Sequence, residues 1–158
     1  TPSGNSVAAE VLLRLGLLTG DEAHGRKALT IFRLLRDPLS RYPSGFGRLL
    51  GALDFHLSSP KEIAIIGERG AADTRALLNE VWRRYLPNKV VAQSAEGDAR
   101  AAEALPLLRE RGMIEGKATA YVCEHYTCQR PVTTAAELAA QLGQGTAREA
   151  SSSSGGAP

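Results

Sequence analysis

The sequence predicts a mainly α-helical fold that ends in a small α/β part. In the first 59 residues, apolar residues recur at the three- and four-residue spacing of one helix face. From residue 60 to 142, short apolar runs alternate with helical stretches, as in a three-stranded parallel βαβαβα segment. Small and polar residues dominate 143–158 and cannot bury enough apolar area to offset the entropy of ordering, so a disordered tail is predicted there.

Three helices are predicted before residue 59. The first spans about 5–17, and the second begins at a capping box, Thr19-Gly20-Asp21-Glu22, and runs to about Arg36. Asp37-Pro38 stops the second helix, because proline disfavours helical geometry in the residue before it. The third helix follows Pro43-Ser44-Gly45. The residues it is expected to bury are Phe46, Leu49, Leu50, Leu53 and Leu57.

A short repeat links the first and third helices. Pro2-Ser3-Gly4 and Pro43-Ser44-Gly45 each open a helix, and one helix lies between them. Repeats of about forty residues, each a helix pair, are typical of stacked helical hairpins. The two helices would then be equivalent, with both amino termini on one rim.

The α/β part is predicted from three apolar runs, at 62–67, 89–92 and 118–123. Asp73 is expected to cap the helix after the first run, and Trp82, with Leu78 and Tyr85, to seal that helix against the sheet. Residues 98–111 are expected to be helical but broken by Pro106. A second capping box, Thr134 to Glu137, opens the last helix.

Composition excludes several classes of protein. The 158 residues are 43% apolar and 23% charged, as in globular proteins, with a net charge of only +2 and no basic run interleaved with aromatics, so no nucleic-acid partner is expected. No apolar stretch is long enough to span a membrane. Two cysteines argue against a disulfide-stapled secreted scaffold and favour a reducing, cytoplasmic location.

Four separated segments together resemble the spermatogenesis-associated, thioredoxin-domain-containing protein family. The segments are 2–9, the helix 44–57, the strand Ala64-Ile65-Ile66-Gly67, and the stretch from Tyr121-Val122-Cys123 to Cys128-Gln129-Arg130-Pro131-Val132. The resemblance implies an amino-terminal thioredoxin-like domain, a six-hairpin (α/α) toroid similar to sugar epimerases and glycosidases, and a small α/β segment. This chain would be a C-terminal fragment, carrying the last toroid helices in 1–59 and the α/β segment in 60–142.

The resemblance also implies what the chain contacts. Its partner would be the remainder of its own polypeptide, and a carbohydrate is the implied ligand of the toroid. Activity in the family is unsettled, and no cofactor or metal is indicated. We therefore carry two hypotheses: part of a carbohydrate-active enzyme, or a structural and interaction module with no catalytic site of its own.

The candidate ligand-binding residues on the toroid rim are Ser3, Asn5, Ser6 and Ser44. They lie at predicted helix amino termini, where free N–H groups favour polar ligands, although Ser and Asn are also the best helix caps. Hydroxyl and amide groups suit sugar binding but supply no acid or base.

No catalytic pair stands out. Glycosidases need two carboxylates flanking the bond. Glu10 and Asp54 would serve only if they faced the cavity, and Glu10 is better placed to pair with Arg14 four residues later. His24 is expected on an outer helix, and His56 to be packed or solvated.

Two further motifs each have more than one interpretation. Gly67-Glu68-Arg69-Gly70 lies where nucleotide-binding loops occur, but Arg69 replaces a required glycine, and a tight strand-to-helix turn explains both glycines. Cys123, His125 and Cys128 form a possible thiol site: structural cysteines, a redox role and an incomplete metal site all remain open. Between the two thiols, we predict Cys123 to be buried and unreactive, with Cys128 more exposed.

Overall fold

A computed structural model describes residues 3–124 and 127–143. The helices in this part of the chain are α1 (Gly4–Thr19), α2 (Glu22–Leu34), α3 (Arg36–Arg41), α4 (Gly47–Leu57), α5 (Ala72–Trp82), α6 (Ala99–Ala104) and α7 (Ala135–Gly143). The strands are β1 (Lys61–Ile66), β2 (Lys89–Ser94), β3 (Thr119–Glu124) and β4 (Thr127–Cys128). Short 3₁₀ turns occur at Pro43–Phe46 and Pro106–Leu108. The disordered tail predicted for 143–158 lies, from residue 144 on, outside the described residues.

The sheet is mixed rather than parallel. Its strand order is β2-β1-β3-β4; β2 runs parallel to β1, as predicted, but β3 runs antiparallel, with Thr119 opposite Ile66 and Cys123 opposite Glu62. The prediction of three parallel strands is therefore wrong. The six residues of α6 extend only about 9 Å, less than the roughly 20 Å of a six-residue strand. Such a helix is too short to pack along the strands as the crossover of a parallel βαβ unit does, and β3 instead starts at the edge where β1 and β2 end.

The helix boundaries follow local capping. Ser3 caps α1, accepting a hydrogen bond from the Ser6 amide. Asp21, not the predicted Thr19, caps α2 through the Ala23 amide, because Thr19 still belongs to α1 and donates its hydroxyl to the Leu15 carbonyl.

The predicted stop at Asp37-Pro38 is also displaced. The chain bends at Leu35, and α3 then runs through Pro38. Proline is tolerated there because it lies in the first turn of the new helix, where no N–H bonds within the helix. By contrast, the capping box at the start of α7 is confirmed, since Thr134 accepts from the Glu137 amide and donates to the Glu137 carboxylate at 2.8 Å.

Helices cover both faces of the sheet. On one face α1 and the turn at Pro106–Leu108 pack over β1 and β2, and α2 and α4 pack against α1. The buried residues of this layer are Ala9, Leu13, Ala28, Leu49, Ala52, Phe55, Ala64, Ile66, Val90, Ala92, Leu107 and Leu108. On the other face α5 and α7 cover β1 and β3, burying Ile63, Ile65, Leu77, Val81, Ala118, Ala120, Val122, Val132, Leu138 and Leu142. Helices from 1–59 thus share a core with strands from 60–142, and the division into domains stays a prediction.

Two predictions about buried side chains are wrong. Trp82 is 61% exposed and Tyr85 is 91% exposed, while Leu77 and Val81 seal α5 against the sheet. Each helical residue turns about 100° from the one before, so Trp82 points away when Val81 points inward. On α4, Leu57 is likewise 75% exposed, because the buried face is centred on Leu49 and Phe55.

Helices α1 and α4 run parallel to each other. Arg48 near the start of α4 pairs with Glu10 of α1, and Phe55 near its end lies 4.6 Å from the guanidinium of Arg14. The two contacts follow in the same order along both helices. The start of α1 at Ser3-Gly4 and the 3₁₀ turn that carries Ser44-Gly45, just before α4, therefore lie at the same end of the helix pair.

Candidate functional site

The predicted rim residues have different environments. Ser3, Asn5 and Ser44 are exposed, whereas Ser6 is buried and its hydroxyl lies 2.8 Å from that of Ser3. Ser3 therefore caps α1, and the Ser6 hydroxyl is hydrogen-bonded to the capping side chain. Cavity lining by these four residues stays a prediction.

The carboxylates and histidines weighed as catalytic groups make local contacts. Glu10 lies between Arg14 and Arg48, which confirms the predicted pair with Arg14. Asp54 accepts a hydrogen bond from the Asn88 amide at 2.8 Å. His24 lies 3.5 Å from Asp21, and the ring of His56 is 6.2 Å from that of Phe32. None of these contacts brings two carboxylates together across a cleft.

The turn after β1 is explained by packing. A Cβ atom at Gly67 would lie 2.7 Å from the Cβ of Ala118 and would also collide with Thr74. Gly70 has a φ of +83°, which favours glycine. Asp73, predicted as a cap, lies inside α5 and accepts from the amides of Ala118 (2.9 Å) and Thr74 (2.8 Å). These two hydrogen bonds hold the pKa of the exposed Asp73 carboxyl below its usual value.

Cys123 and Cys128 are bonded to each other. They are directly opposite in the antiparallel pair formed by β3 and β4, and a disulfide joins them. The prediction of free thiols is wrong, because the hairpin places the two side chains on the same face of adjacent strands. The predicted order of burial is confirmed: Cys123 is buried and Cys128 is exposed. His125, the third member of the predicted site, lies outside the described residues.

Arg111 completes this cluster. One guanidinium nitrogen, Nη2, lies 3.0 Å from Sγ of Cys123 and 3.3 Å from Sγ of Cys128. The guanidinium carbon lies 5.3 Å from the centre of the Tyr121 ring, and the backbone of Gly112 exchanges hydrogen bonds with the Tyr121 hydroxyl. The segment after the Pro106–Leu108 turn is thereby held along β3, with Arg111 reaching the disulfide.

The two charged groups Glu62 and Arg111 both have shifted pKa values. Burial raises the pKa of the Glu62 carboxyl, and the nearby charge of Arg111 lowers it, leaving the pKa above its usual value. Burial lowers the pKa of Arg111, against opposing effects from Tyr121 and Glu62. Among the described residues no carboxylate lies within 4.0 Å of Arg111, and its Nη1 is buried without a hydrogen-bond partner. A half-buried positive charge thus faces a disulfide.

Comparison with curated proteins gives clear relatives. The chain is 37% identical to human spermatogenesis-associated protein 20 over 139 residues, which is 87% of this chain and 18% of the human protein. It is 36% identical to the rat protein of that name over 145 residues, covering 90% of this chain and 18% of that protein. The chain is homologous to a segment of spermatogenesis-associated protein 20. The resemblance predicted from the sequence, to the C-terminal part of this family, is confirmed.

The chain spans less than a fifth of the length of these spermatogenesis-associated proteins. No family model matches it, and no solved structure matches it. Within the described residues, no helix is both long and apolar enough to cross a bilayer. The family relationship therefore comes from the curated relatives alone.

Two open cavities on the described part of the chain lie at the two ends of β2. One of about 280 Å³ lies beyond the end of β2, lined in part by Ser94, Asp98, Glu110 and Arg111. Because β3 is antiparallel, Cys123 lies at the opposite end of the sheet from Ser94 and Gly67, so these three strand ends do not form one pocket. The second cavity, of about 460 Å³, lies at the edge of β2 beside Trp82 and Tyr85.

Proposed function

We propose that this segment is a structural and interaction module that docks onto the remainder of its own polypeptide through the outer face of α1. The observation that carries the proposal is an apolar stripe on the side of α1 that faces away from the core. Val7, Val11 and Leu15 are 37%, 47% and 38% exposed and follow one another at four-residue spacing. The core side of the same helix holds Ala9 and Leu13.

The stripe continues into the cavity at the edge of β2. Leu18, one turn beyond Leu15, lines that cavity together with Trp82, Tyr85 and Pro87. Tryptophan and tyrosine are the residues most often found as anchors of protein interfaces. The cavity is bordered by Arg14, Arg84 and Lys89, so we expect the docking partner to present carboxylates around an apolar centre.

The length of the homologous proteins indicates what covers this apolar stripe. The homologous proteins extend far beyond the segment that this chain matches, which is 18% of each. A continuous apolar patch of this kind is uncommon on an isolated soluble protein, because its exposure to water is unfavourable. The rest of the polypeptide is present in a one-to-one ratio with this segment, so it is the partner expected to cover the apolar patch.

Site-specific labelling tests this docking. Cysteine introduced as Val11→Cys should react with a maleimide at least about tenfold more slowly in the full-length protein than in this chain alone, because labelling there requires the interface to open. Peptide mass spectrometry separates this site from the other cysteines. Ile114→Cys is the matched control, since Ile114 is 39% exposed and lies beside the start of β3, where its amide donates to the Thr119 hydroxyl. Equal Val11→Cys rates in both proteins would contradict the proposal.

A second proposal, that the helix ends border a carbohydrate cavity in the whole protein, is supported by the parallel arrangement of α1 and α4. Ser3 caps α1 and Ser44 lies in the turn just before α4, both at one end of the pair, as inner helices of an α/α toroid would require. Asn5 is exposed beside Ser3 and offers both an amide donor and an acceptor to a sugar hydroxyl.

A sugar-library binding screen on the full-length protein tests this second proposal. We expect at least one sugar to bind and Asn5→Ala to weaken its binding about tenfold, the effect of losing one or two hydrogen bonds. Asn79→Ala, an exposed amide on α5, is the control. Absence of binding by any sugar, or equal effects of the two substitutions, would reject a carbohydrate role for the rim.

A further inference from the structure

We propose that Cys123 and Cys128, with Arg111, form a redox-active dithiol–disulfide site that exchanges electrons with a dithiol reductant. The geometry that points to this is the guanidinium nitrogen of Arg111, 3.0 Å and 3.3 Å from the two sulfurs. A neutral disulfide gains little from a positive charge, whereas a thiolate gains a charge-assisted hydrogen bond.

The contacts of Arg111 favour the reduced state. Its guanidinium is half-buried against the Tyr121 ring, and within the described part of the chain no carboxylate lies within ion-pair distance of it. Reduction would place an anion in direct contact with the guanidinium, because a thiolate at Cys123 would lie at the position its sulfur now occupies. Stabilising that thiolate lowers the pKa of the thiol and shifts the equilibrium towards the dithiol.

The disulfide contributes little as a structural crosslink. It closes a loop of only five residues in sequence separation, and short loops restrict the unfolded chain least. The strands it joins are already paired, with the Gln129 amide donating to the Val122 carbonyl at 2.9 Å. The bond is therefore suited to opening without loss of the fold.

The exposures of the two sulfurs set the direction of the exchange. Cys128 is exposed, so a thiolate of the reductant attacks its Sγ, forming a mixed disulfide while the Cys123–Cys128 bond breaks. Sγ of Cys123 leaves as a thiolate beside Arg111. The second thiol of the reductant then loses its proton and attacks the reductant sulfur of the mixed disulfide; Sγ of Cys128 leaves as a thiolate and takes up a proton. The reductant becomes a disulfide after giving up two electrons, and the cysteine pair takes them up; one proton remains in solution while Cys123 stays ionised.

Redox titration of the full chain tests the site. Wild-type protein and Arg111→Gln are equilibrated with dithiothreitol at graded ratios of reduced to oxidised form, and the open fraction is read by thiol alkylation and mass. We expect Arg111→Gln to lower the equilibrium constant for reduction about tenfold or more, which makes the disulfide harder to open. Thiolate ultraviolet absorbance should show a higher pKa for Cys123 in that variant.

Two further variants separate charge from folding. Arg111→Lys keeps the positive charge and should restore at least part of the wild-type equilibrium. Arg109→Gln is the matched control, since the Arg109 side chain donates to the carbonyls of Ala102 and Glu103 rather than to the sulfurs, and it should titrate like the wild type. Coincident titrations for wild type, Arg111→Gln and Arg111→Lys would overturn the proposal. So would a wild-type disulfide that stays closed at every dithiothreitol ratio.

Discussion

Leu77→Ala is expected to lower the free energy of unfolding by about 2–5 kcal/mol, the range for removing a large aliphatic side chain from a packed core. Leu77 is 1% exposed and lies between α5 and the face of the sheet that carries Ile63 and Ile65. The cavity left by the truncation has rigid neighbours on two sides, the sheet and α7, so it cannot fully collapse. Urea unfolding followed by circular dichroism measures the loss.

Trp82→Ala is the informative comparison for that substitution. Although tryptophan is much larger than leucine, Trp82 is 61% exposed and its ring contacts the Lys89 ammonium at 4.9 Å. We expect its replacement to cost no more than about 1 kcal/mol, the scale of an exposed cation–π contact. A loss for Trp82→Ala equal to that for Leu77→Ala would show that Trp82, and not the leucine, closes the core.

The strands and long helices could be predicted because each depends on a local pattern. The apolar runs at 62–67, 89–92 and 118–123 all became strands, and the period of α1 and α4 was readable from their own residues. The direction of β3 was not readable in this way. It depends on the connection between β2 and β3, which contains the six-residue α6 and a 3₁₀ turn instead of the longer helix of a parallel crossover.

In the cysteine cluster, too, contacts between residues close in sequence could be predicted and contacts between distant residues could not. Two cysteines separated by four residues can lie opposite each other in a β-hairpin, with one further residue pair between them and the turn. The sequence therefore held a signal for the bonded pair. Arg111 had none. It lies 12 residues before Cys123, and only the antiparallel course of β3 brings its side chain back to the sulfurs.

Glu80→Gln is expected to destabilise the protein by about 1–3 kcal/mol at neutral pH, because it removes a buried carboxylate that accepts two charge-assisted hydrogen bonds. Glu80 is 4% exposed on α5, and its two oxygens pair with Nε of Arg84 and Nε of Arg83. Arg83 is 67% exposed, so part of each interaction is screened by water and the effect stays below that of a fully buried pair.

The pH dependence of that loss identifies the carboxylate as its cause. Burial alone would raise the pKa of Glu80, but the hydrogen bonds and charges of Arg84 and Arg83 outweigh burial and leave the pKa below its usual value of 4.5. A carboxyl whose pKa is lower when folded stabilises the protein above the unfolded pKa, and that stabilisation is lost as the pH falls through the folded pKa. The difference in unfolding free energy between wild type and Glu80→Gln should therefore be largest near neutral pH and shrink below about pH 4.

Glu103→Gln, an exposed carboxylate on α6, serves as the control for this measurement and should change stability by less than about 0.5 kcal/mol. Urea unfolding of the three proteins across a pH series gives all the required differences. A Glu80→Gln effect of the same size at every pH would mean that the amide disturbs packing on α5. The paired arginines would then contribute nothing specific to the charged form of Glu80, and the ionic origin of the stabilisation would be rejected.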